Sequence, residues 1–234
     1  MKCDLVIIGA GPAGMAAAAE ASELGLSVTI IDEQPRAGGQ IYRDVDKVSP
    51  SRAPILGTDY TDGKRLTESL RQSGIEYLPG AVVWAIEDQF RIMYTCEGRG
   101  AQIQADRILL ATGALERPMP IPGWTLPGVM TAGAGQILLK QSGVVAKKSV
   151  LVGSGPLLYL IAAQMVRAGT PPVAMIETQT RSDLGRALWH VGGALRGWRY
   201  IMKGLKMLAE ITLARVPRYS GASDIAIEGD DAAK

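Results

Sequence analysis

The chain has 234 residues, a length for one or two domains, and its 47% apolar and 21% charged content excludes a disordered or fibrous protein. Twenty-five basic against 23 acidic side chains leave a net charge of +2, which gives no global ground for a nucleic-acid partner. Cys3 and Cys96 form no CxxC pair and His190 is the only histidine, so a disulfide scaffold, a zinc or multi-histidine metal site, a Cys-ligated iron–sulfur cluster and Ser–His–Asp chemistry are all unsupported.

In chain order, the first apolar stretch runs from Leu5 to Ala19. Its basic flank is Lys2 alone, and Gly9, Gly11, Pro12 and Gly14 interrupt it, so it predicts a strand, a turn and a helix rather than a signal peptide. The other long apolar run, Pro156 to Val166, is far short of the about 20 residues that span a bilayer. The chain is therefore read as cytoplasmic, without a transmembrane segment.

Leu5 to Ile8 is an unbroken apolar run, as a parallel strand buried on both faces requires. Gly9-Ala10-Gly11-Pro12-Ala13-Gly14 follows as a complete GxGxxG, and Met15 to Leu24 has a strong helix composition. Ser27 to Ile31 then predicts a second strand that ends on Asp32, 23 residues after Gly9. Gly9 permits the tight turn, Gly11 lets the backbone approach a pyrophosphate, and Gly14 lets helix and strand pack closely. Pro12 suits the first helical turn, whose free N–H groups face the phosphates, and Asp32 is placed to accept from a ribose. The unit predicts a dinucleotide site.

Two later features point to FAD. One is Glu33-Gln34-Pro35-Arg36-Ala37-Gly38-Gly39-Gln40, whose glycine pair allows a second backbone turn near the pyrophosphate. The other is the strand Ala105 to Leu110, which runs into Ala111-Thr112-Gly113. With these motifs the chain resembles the flavoproteins that carry two dinucleotide-binding domains, the pyridine nucleotide–disulfide reductase fold group. The resemblance implies that Gly9, Gly11, Ala13 and Gly14, with Pro12, hold the pyrophosphate. It places Asp32 on the adenosine ribose with Glu33 and Arg36 nearby, and Gly39, Gln40, Thr112 and Gly113 along the flavin side. Val82-Val83 would contact the adenine through backbone. Between the motifs, Thr61 to Gln72 reads as a helix, and Val82–Ile86, Phe90–Thr95 and Ala101–Gln104 read as the strands of a small β-meander.

Pro118 to Gly123, with alternating prolines, predicts an extended linker, after which the pattern restarts. Ser149–Val152 is a strand, Gly153-Ser154-Gly155 the turn, Leu158–Ala168 a helix, and Val173–Ile176 a strand ending on Glu177. The third glycine is replaced by Leu158, whose bulk is expected to push helix and strand apart or tilt them. Glu177 suits the unphosphorylated ribose of NAD, and Gly153 and Gly155 its pyrophosphate; the alternative is a retained Rossmann half that binds another nucleotide or nothing. The fold class is accordingly α/β: a Rossmann-like FAD-binding domain with an inserted β-meander over 1–145, then an incomplete second Rossmann-like, NAD-type domain over 146–234.

The runs 32–43 and 111–139, and VGSGPLLYL after them, closely resemble the alpha subunits of opine oxidase, hydrogen cyanide synthase and hydroxyproline or proline dehydrogenase complexes. That resemblance implies a flavoprotein subunit that relays electrons from an amine-oxidase-like flavoprotein beta-type subunit, where the C–N bond is oxidised, in a heteromer that can include a small iron–sulfur subunit. Against the family pattern, the cysteine cluster of some members, the return segment that closes the flavin pocket and the paired redox cysteines of disulfide reductases are all missing. The length then predicts a truncated or split family member, and the competing reading is a non-catalytic nucleotide-binding module. No side chain is identified as an acid, a base or a metal ligand.

In the last quarter, Leu184, Leu188, Val191, Leu195, Trp198, Met202 and Leu205 recur with helical spacing, which predicts a domain helix interrupted at Gly192-Gly193. Residues 181–215 carry seven basic and two acidic side chains. A basic outer face of this kind is solvated in the simplest reading; a subunit interface or a peripheral membrane contact is the functional alternative. His190 reads as a packing or surface residue. Asp224 to Glu228 predicts a last strand followed by a turn.

Overall fold

The computed structural model describes residues 2–71, 74–187, 189 and 191–233. The chain divides into two compact units, residues 1–115 and 116–234.

The first unit is built on a six-stranded sheet. Strand β1 (Lys2–Ile8) leads through the glycine turn into helix α1 (Pro12–Glu23) and strand β2 (Val28–Asp32). After a long loop come three short helices, α2 (Ala53–Leu56), α3 (Thr58–Thr61) and α4 (Lys64–Ser69). Gly57, at φ +91°, separates α2 from α3; of the expected helix over Thr61–Gln72, Thr61 ends α3 and Lys64–Ser69 forms α4, while Gln72 lies outside the described residues. Strands β3 (Ile75–Pro79), β4 (Ala81–Glu87), β5 (Arg91–Cys96) and β6 (Arg99–Leu110) complete the sheet in the order β3-β2-β1-β6-β5-β4.

Two strands differ from expectation. No strand was expected at Ile75–Pro79, yet β3 pairs in parallel with β2, Ile30 opposite Tyr77. The third meander strand and the strand before Ala111-Thr112-Gly113 are one continuous β6. Its first half pairs antiparallel with β5 as far as Gln104, and residues 104–110 run parallel to β1, so no turn is needed between them. Two clusters cover the sheet faces. Ile7 and Ile30 pack against Met15 and Ala18 of α1, and Val6, Ile31, Ile92 and Ile103 lie on the other side. Each fully buried aliphatic side chain of this kind stabilises by about 1.5–3 kcal/mol.

The second unit holds helix α5 (Ala132–Ser142), strand β7 (Val150–Gly153), helix α6 (Pro156–Arg167), strand β8 (Ala174–Glu177), helices α7 (Arg181–Ala187), α8 (Val191–Arg196) and α9 (Trp198–Leu213), and strand β9 (Arg218–Ser220). The three strands are all parallel, in the order β7-β8-β9. Rather than standing as an obstacle, Leu158 fills the core of this unit with Ala162, Met175, Ile211 and Val216. Arg167 Nε donates to Glu210 Oε2 at 2.8 Å and ties α6 to α9.

Three expectations fail here. The last strand is at Arg218–Ser220, not Asp224–Glu228. The latter stretch starts at Asp224 with φ +53°, which breaks an extended strand, and Ile227 N–H donates to Pro122 C=O (2.8 Å). Gly192-Gly193 lies inside α8, and the chain bends instead at Gly197, before α9. The expected apolar stripe faces outward in α9, where Trp198, Met202 and Leu205 are each more than half exposed, because the helix buries its opposite side through Met207 and Ile211. Leu188 and His190 lie outside the described residues. Among the described residues no helix is long and apolar enough to cross a membrane.

Candidate functional site

In the first unit β1, β2 and β3 step away in one direction and β6 lies on the other side of β1, so strand order reverses between β1 and β6. Ligands of open parallel sheets bind at such a switch point, beyond the carboxyl ends of the strands. The glycine turn, Asp32, the Gly38-Gly39 loop and Ala111-Thr112-Gly113 all follow the ends of β1, β2 or β6.

The glycines there are required by contacts. Gly9 has φ +108°, and a Cβ on it would lie 2.4 Å from Ala111 O and 3.2 Å from Thr112 Cα. A Cβ on Gly14 would lie 1.9 Å from Gly9 O, so helix α1 can sit this close to the end of β1 only without a side chain. Gly39, at φ +57°, would press a Cβ to 2.9 Å from Gly11 Cα and 3.6 Å from Pro12 Cδ. Two glycine loops 28 residues apart in sequence thus meet backbone to backbone, and the Gly38 N–H fixes the second loop on Ala10 C=O (2.8 Å). This bare backbone cradle at the start of a helix leaves room and N–H groups for a pyrophosphate.

Asp32 is half-buried at the end of β2. Its Oδ2 accepts from Ala10 N–H at 2.6 Å and its Oδ1 from Gln34 N–H at 2.7 Å. The carboxylate is held by backbone on both sides of the cradle, with lone pairs remaining for hydroxyl donors. Glu33 is exposed and accepts from Gln34 Nε2 at 3.2 Å. Arg36 is exposed and paired through Nε with the buried Asp44. Ala13 and Gln40 are exposed, as are Thr112 and Gly113, the latter at φ +72°. Val83 sits within β4 opposite Tyr94, its side chain against the Ala81, Ile92 and Tyr94 cluster. Gly80 N–H links the β3–β4 turn to Gln34 C=O (3.1 Å). The structure therefore brings Gly9, Gly11, Pro12, Gly14, Asp32, Gly39 and Thr112 together, while Val83 stands in the meander.

Three residues near this site were given no individual role by the sequence. Gly38 has φ +128°, and a Cβ on it would meet Tyr42 O at 2.3 Å; the GG pair signalled it. Asp44, in the left-handed region at φ +56°, holds Arg36, and nothing in the local sequence marked it. Tyr77, on β3, has a buried hydroxyl with no hydrogen-bond partner among the described residues; burial, with the Asp32 charge adding, pushes its pKa well above the usual tyrosine range. Among the described residues no group of three or more His, Cys, Asp or Glu side chains is arranged to hold a metal.

In the second unit, Gly153 (φ +146°) and Gly155 (φ +87°) keep backbone angles that favour glycine, but no atom lies within 4 Å of a Cβ placed on either. Glu177 is buried, and its side chain is turned to Tyr159, Arg218 and Ser220.

Comparisons with known proteins give the family and the fold. The model of the family "Pyridine nucleotide-disulphide oxidoreductase" fits residues 3–188. An opine oxidase subunit of Agrobacterium tumefaciens is 44% identical over 99% of the chain and 47% of its own length. The hydrogen cyanide synthase subunit HcnB of Pseudomonas aeruginosa is 35% identical over 96% of the chain and 48% of its own length. The chain thus spans about half the length of these curated relatives. Among solved structures, L-proline dehydrogenase from P. horikoshii superposes with a TM-score of 0.64 at 23% identity, over 77% of this chain and 36% of that one, a likeness of fold.

Proposed function

The chain belongs to the pyridine nucleotide-disulphide oxidoreductase family, and from that premise we propose that it is the FAD-carrying, electron-relaying part of an amine- or imino-acid-oxidising complex of the opine or proline type. The single observation that carries the reading is the cradle at the β1–β6 switch point, where Gly11 and Gly39 meet without side chains beside a backbone-held Asp32.

In this reading residues 1–145 supply the flavin site. Gly9, Gly11, Pro12, Ala13 and Gly14 present backbone and the α1 N-terminus to the pyrophosphate. Asp32 takes the ribose hydroxyls, with Glu33 and Arg36 at the rim and Val83 backbone toward the adenine. Gly39, Gln40, Thr112 and Gly113 lie along the flavin end. FAD, when bound, accepts two electrons and releases them singly or together. The chain's own residues bind and orient it, and none of them is assigned a proton. Cys3 and Cys96 lie on different strands, β1 and β5, and supply no dithiol for disulfide exchange.

The partners proposed are an amine-oxidase-like beta-type flavoprotein subunit, which oxidises the substrate C–N bond, and a small iron–sulfur subunit. Two observations support a heteromer: the relatives are named as subunits, and α9 turns Trp198, Met202 and Leu205 outward with Arg199, Lys203 and Lys206 beside them. An exposed apolar strip edged by charge marks an interaction site.

The test is direct. The purified chain, incubated with FAD and freed of excess, should retain flavin stoichiometrically. Under anaerobic conditions, with the partner subunit present and its amine substrate added, that flavin should bleach. A protein that retains no flavin overturns the reading and leaves the non-catalytic module. Flavin that binds but never bleaches with the partner removes the relay.

A further inference from the structure

Glu177 holds in the second unit the place that Asp32 holds in the first: the last residue of the second strand of a β–turn–α–β unit, beside the glycine turn, with Thr178 N–H donating to Gly153 C=O at 3.0 Å. The two acids are used differently. Among the described residues Asp32 accepts from the backbone N–H groups of Ala10 and Gln34, which flank the cradle, and it stays half-exposed. Glu177 is 1% exposed. Its Oε1 accepts from Tyr159 Oη at 3.0 Å and from Arg218 Nε at 2.9 Å, and its Oε2 accepts from Ser220 Oγ at 3.0 Å.

The donors are themselves fixed. The Arg218 guanidinium lies 5.3 Å from the Tyr159 ring centroid, and its Nη2 donates to Tyr159 Oη at 3.2 Å. Gln179 Nε2 donates to the same oxygen at 2.9 Å. Tyr159 therefore gives its one proton to Glu177 and accepts two, which completes its capacity. For a ribose to reach Glu177, Arg218 or Ser220 would have to leave, and a buried carboxylate would lose a charged or hydroxyl donor, a strongly unfavourable exchange. Leu158, in the place of the third glycine, is committed to the core with Met175 and Ile211. What survives of the nucleotide pattern is the backbone of Gly153 and Gly155.

We propose that the second Rossmann unit takes no NAD(H): the Glu177–Arg218 pair, with Tyr159 and Ser220, is a clamp that joins β8 to β9 and α6 where a ribose subsite would otherwise form. Nicotinamide then has no site in unit two from which to deliver electrons. The inference concerns only unit two and holds whether or not FAD occupies unit one.

Equilibrium dialysis of the FAD-incubated protein against NADH tests it, alongside thermal melts of Glu177→Gln and Ser220→Ala. The expected result is no saturable NADH uptake up to about 1 mM. Glu177→Gln should also melt at least about 5 °C below the wild type, with Ser220→Ala, which removes one bond, between them. Saturable uptake of NADH by the wild type overturns the proposal, whether or not the variants weaken it. Melting of both variants at the wild-type temperature also overturns it, because the clamp would then hold nothing.

Discussion

The contact between Gly39 and Gly11 gives a quantitative test of the flavin cradle. In Gly39→Ala the backbone stays at φ +57°, a left-handed conformation that costs an L-residue about 1–2 kcal/mol. The added Cβ also lies 2.9 Å from Gly11 Cα. Ordinary contact begins near 3.4 Å, so the loops must part by about 0.5 Å, and the neighbour that yields is the backbone meant to approach the pyrophosphate. Gly25→Ala is the control. Gly25, at φ +83°, incurs comparable backbone strain, but its Cβ meets nothing within 4 Å, and it lies before β2, at the end of the strands opposite the cradle. Gly25→Ala should lose about 4–16 °C in melting temperature, from about 4–8 °C per kcal/mol in a unit of this size, and Gly39→Ala at least as much. Only Gly39→Ala should weaken FAD, by at least about tenfold, or 1.4 kcal/mol. Flavin titration followed by fluorescence quenching reads the affinity. Equal FAD affinity in the two variants would refute the reasoning, since strain alone would then account for both.

Gly14→Ala forces α1 away from Gly9 O and should cost about 2–3 kcal/mol, read as a melting temperature lowered by at least about 10 °C, with flavin lost as well. Asp32→Asn replaces one acceptor with an amide donor facing a backbone N–H, and isothermal titration should show FAD weakened by about 10–100-fold. Burial opposes ionisation of Glu177, but hydrogen bonds from Arg218, Ser220 and Tyr159 outweigh it and hold the carboxyl below its ordinary 4.5. The stability it contributes is thus fully present above pH 4.5 and is lost as pH falls through the lowered folded value. The gap in melting temperature between wild type and Glu177→Gln should accordingly close on acidification. Leu205→Glu, on an exposed position of α9, should leave the melting temperature within about 2 °C and abolish co-elution with the partner subunit. Retained co-elution would move the interface elsewhere.

Much of the first site is legible in the sequence because its signals are local. An apolar run, three glycines at fixed spacing, an alanine-rich helix and an acid at the end of the next strand place Gly9, Gly11, Gly14 and Asp32 without reference to the rest of the chain. The second β–turn–α–β unit is legible for the same reason, and so are the β-meander and the helical period of residues 198–205.

Only the tertiary structure decided how distant stretches met. It made one strand of Arg99–Leu110 by giving each half a different neighbour, and it recruited Ile75–Pro79 beside β2. It chose which side of α9 to bury. Periodicity marks an apolar stripe but not its direction, and α9 carries apolar side chains on two opposite sides, with Met207 and Ile211 inward and Trp198, Met202 and Leu205 outward. It also separated two acids that the sequence makes alike. Asp32 and Glu177 have the same place in the same local pattern. Asp32 is held by local backbone, the N–H groups of Ala10 and Gln34, and stays half-exposed, whereas Glu177 is buried by donors that include Arg218 and Ser220 on β9, far along the chain, with Tyr159 on α6.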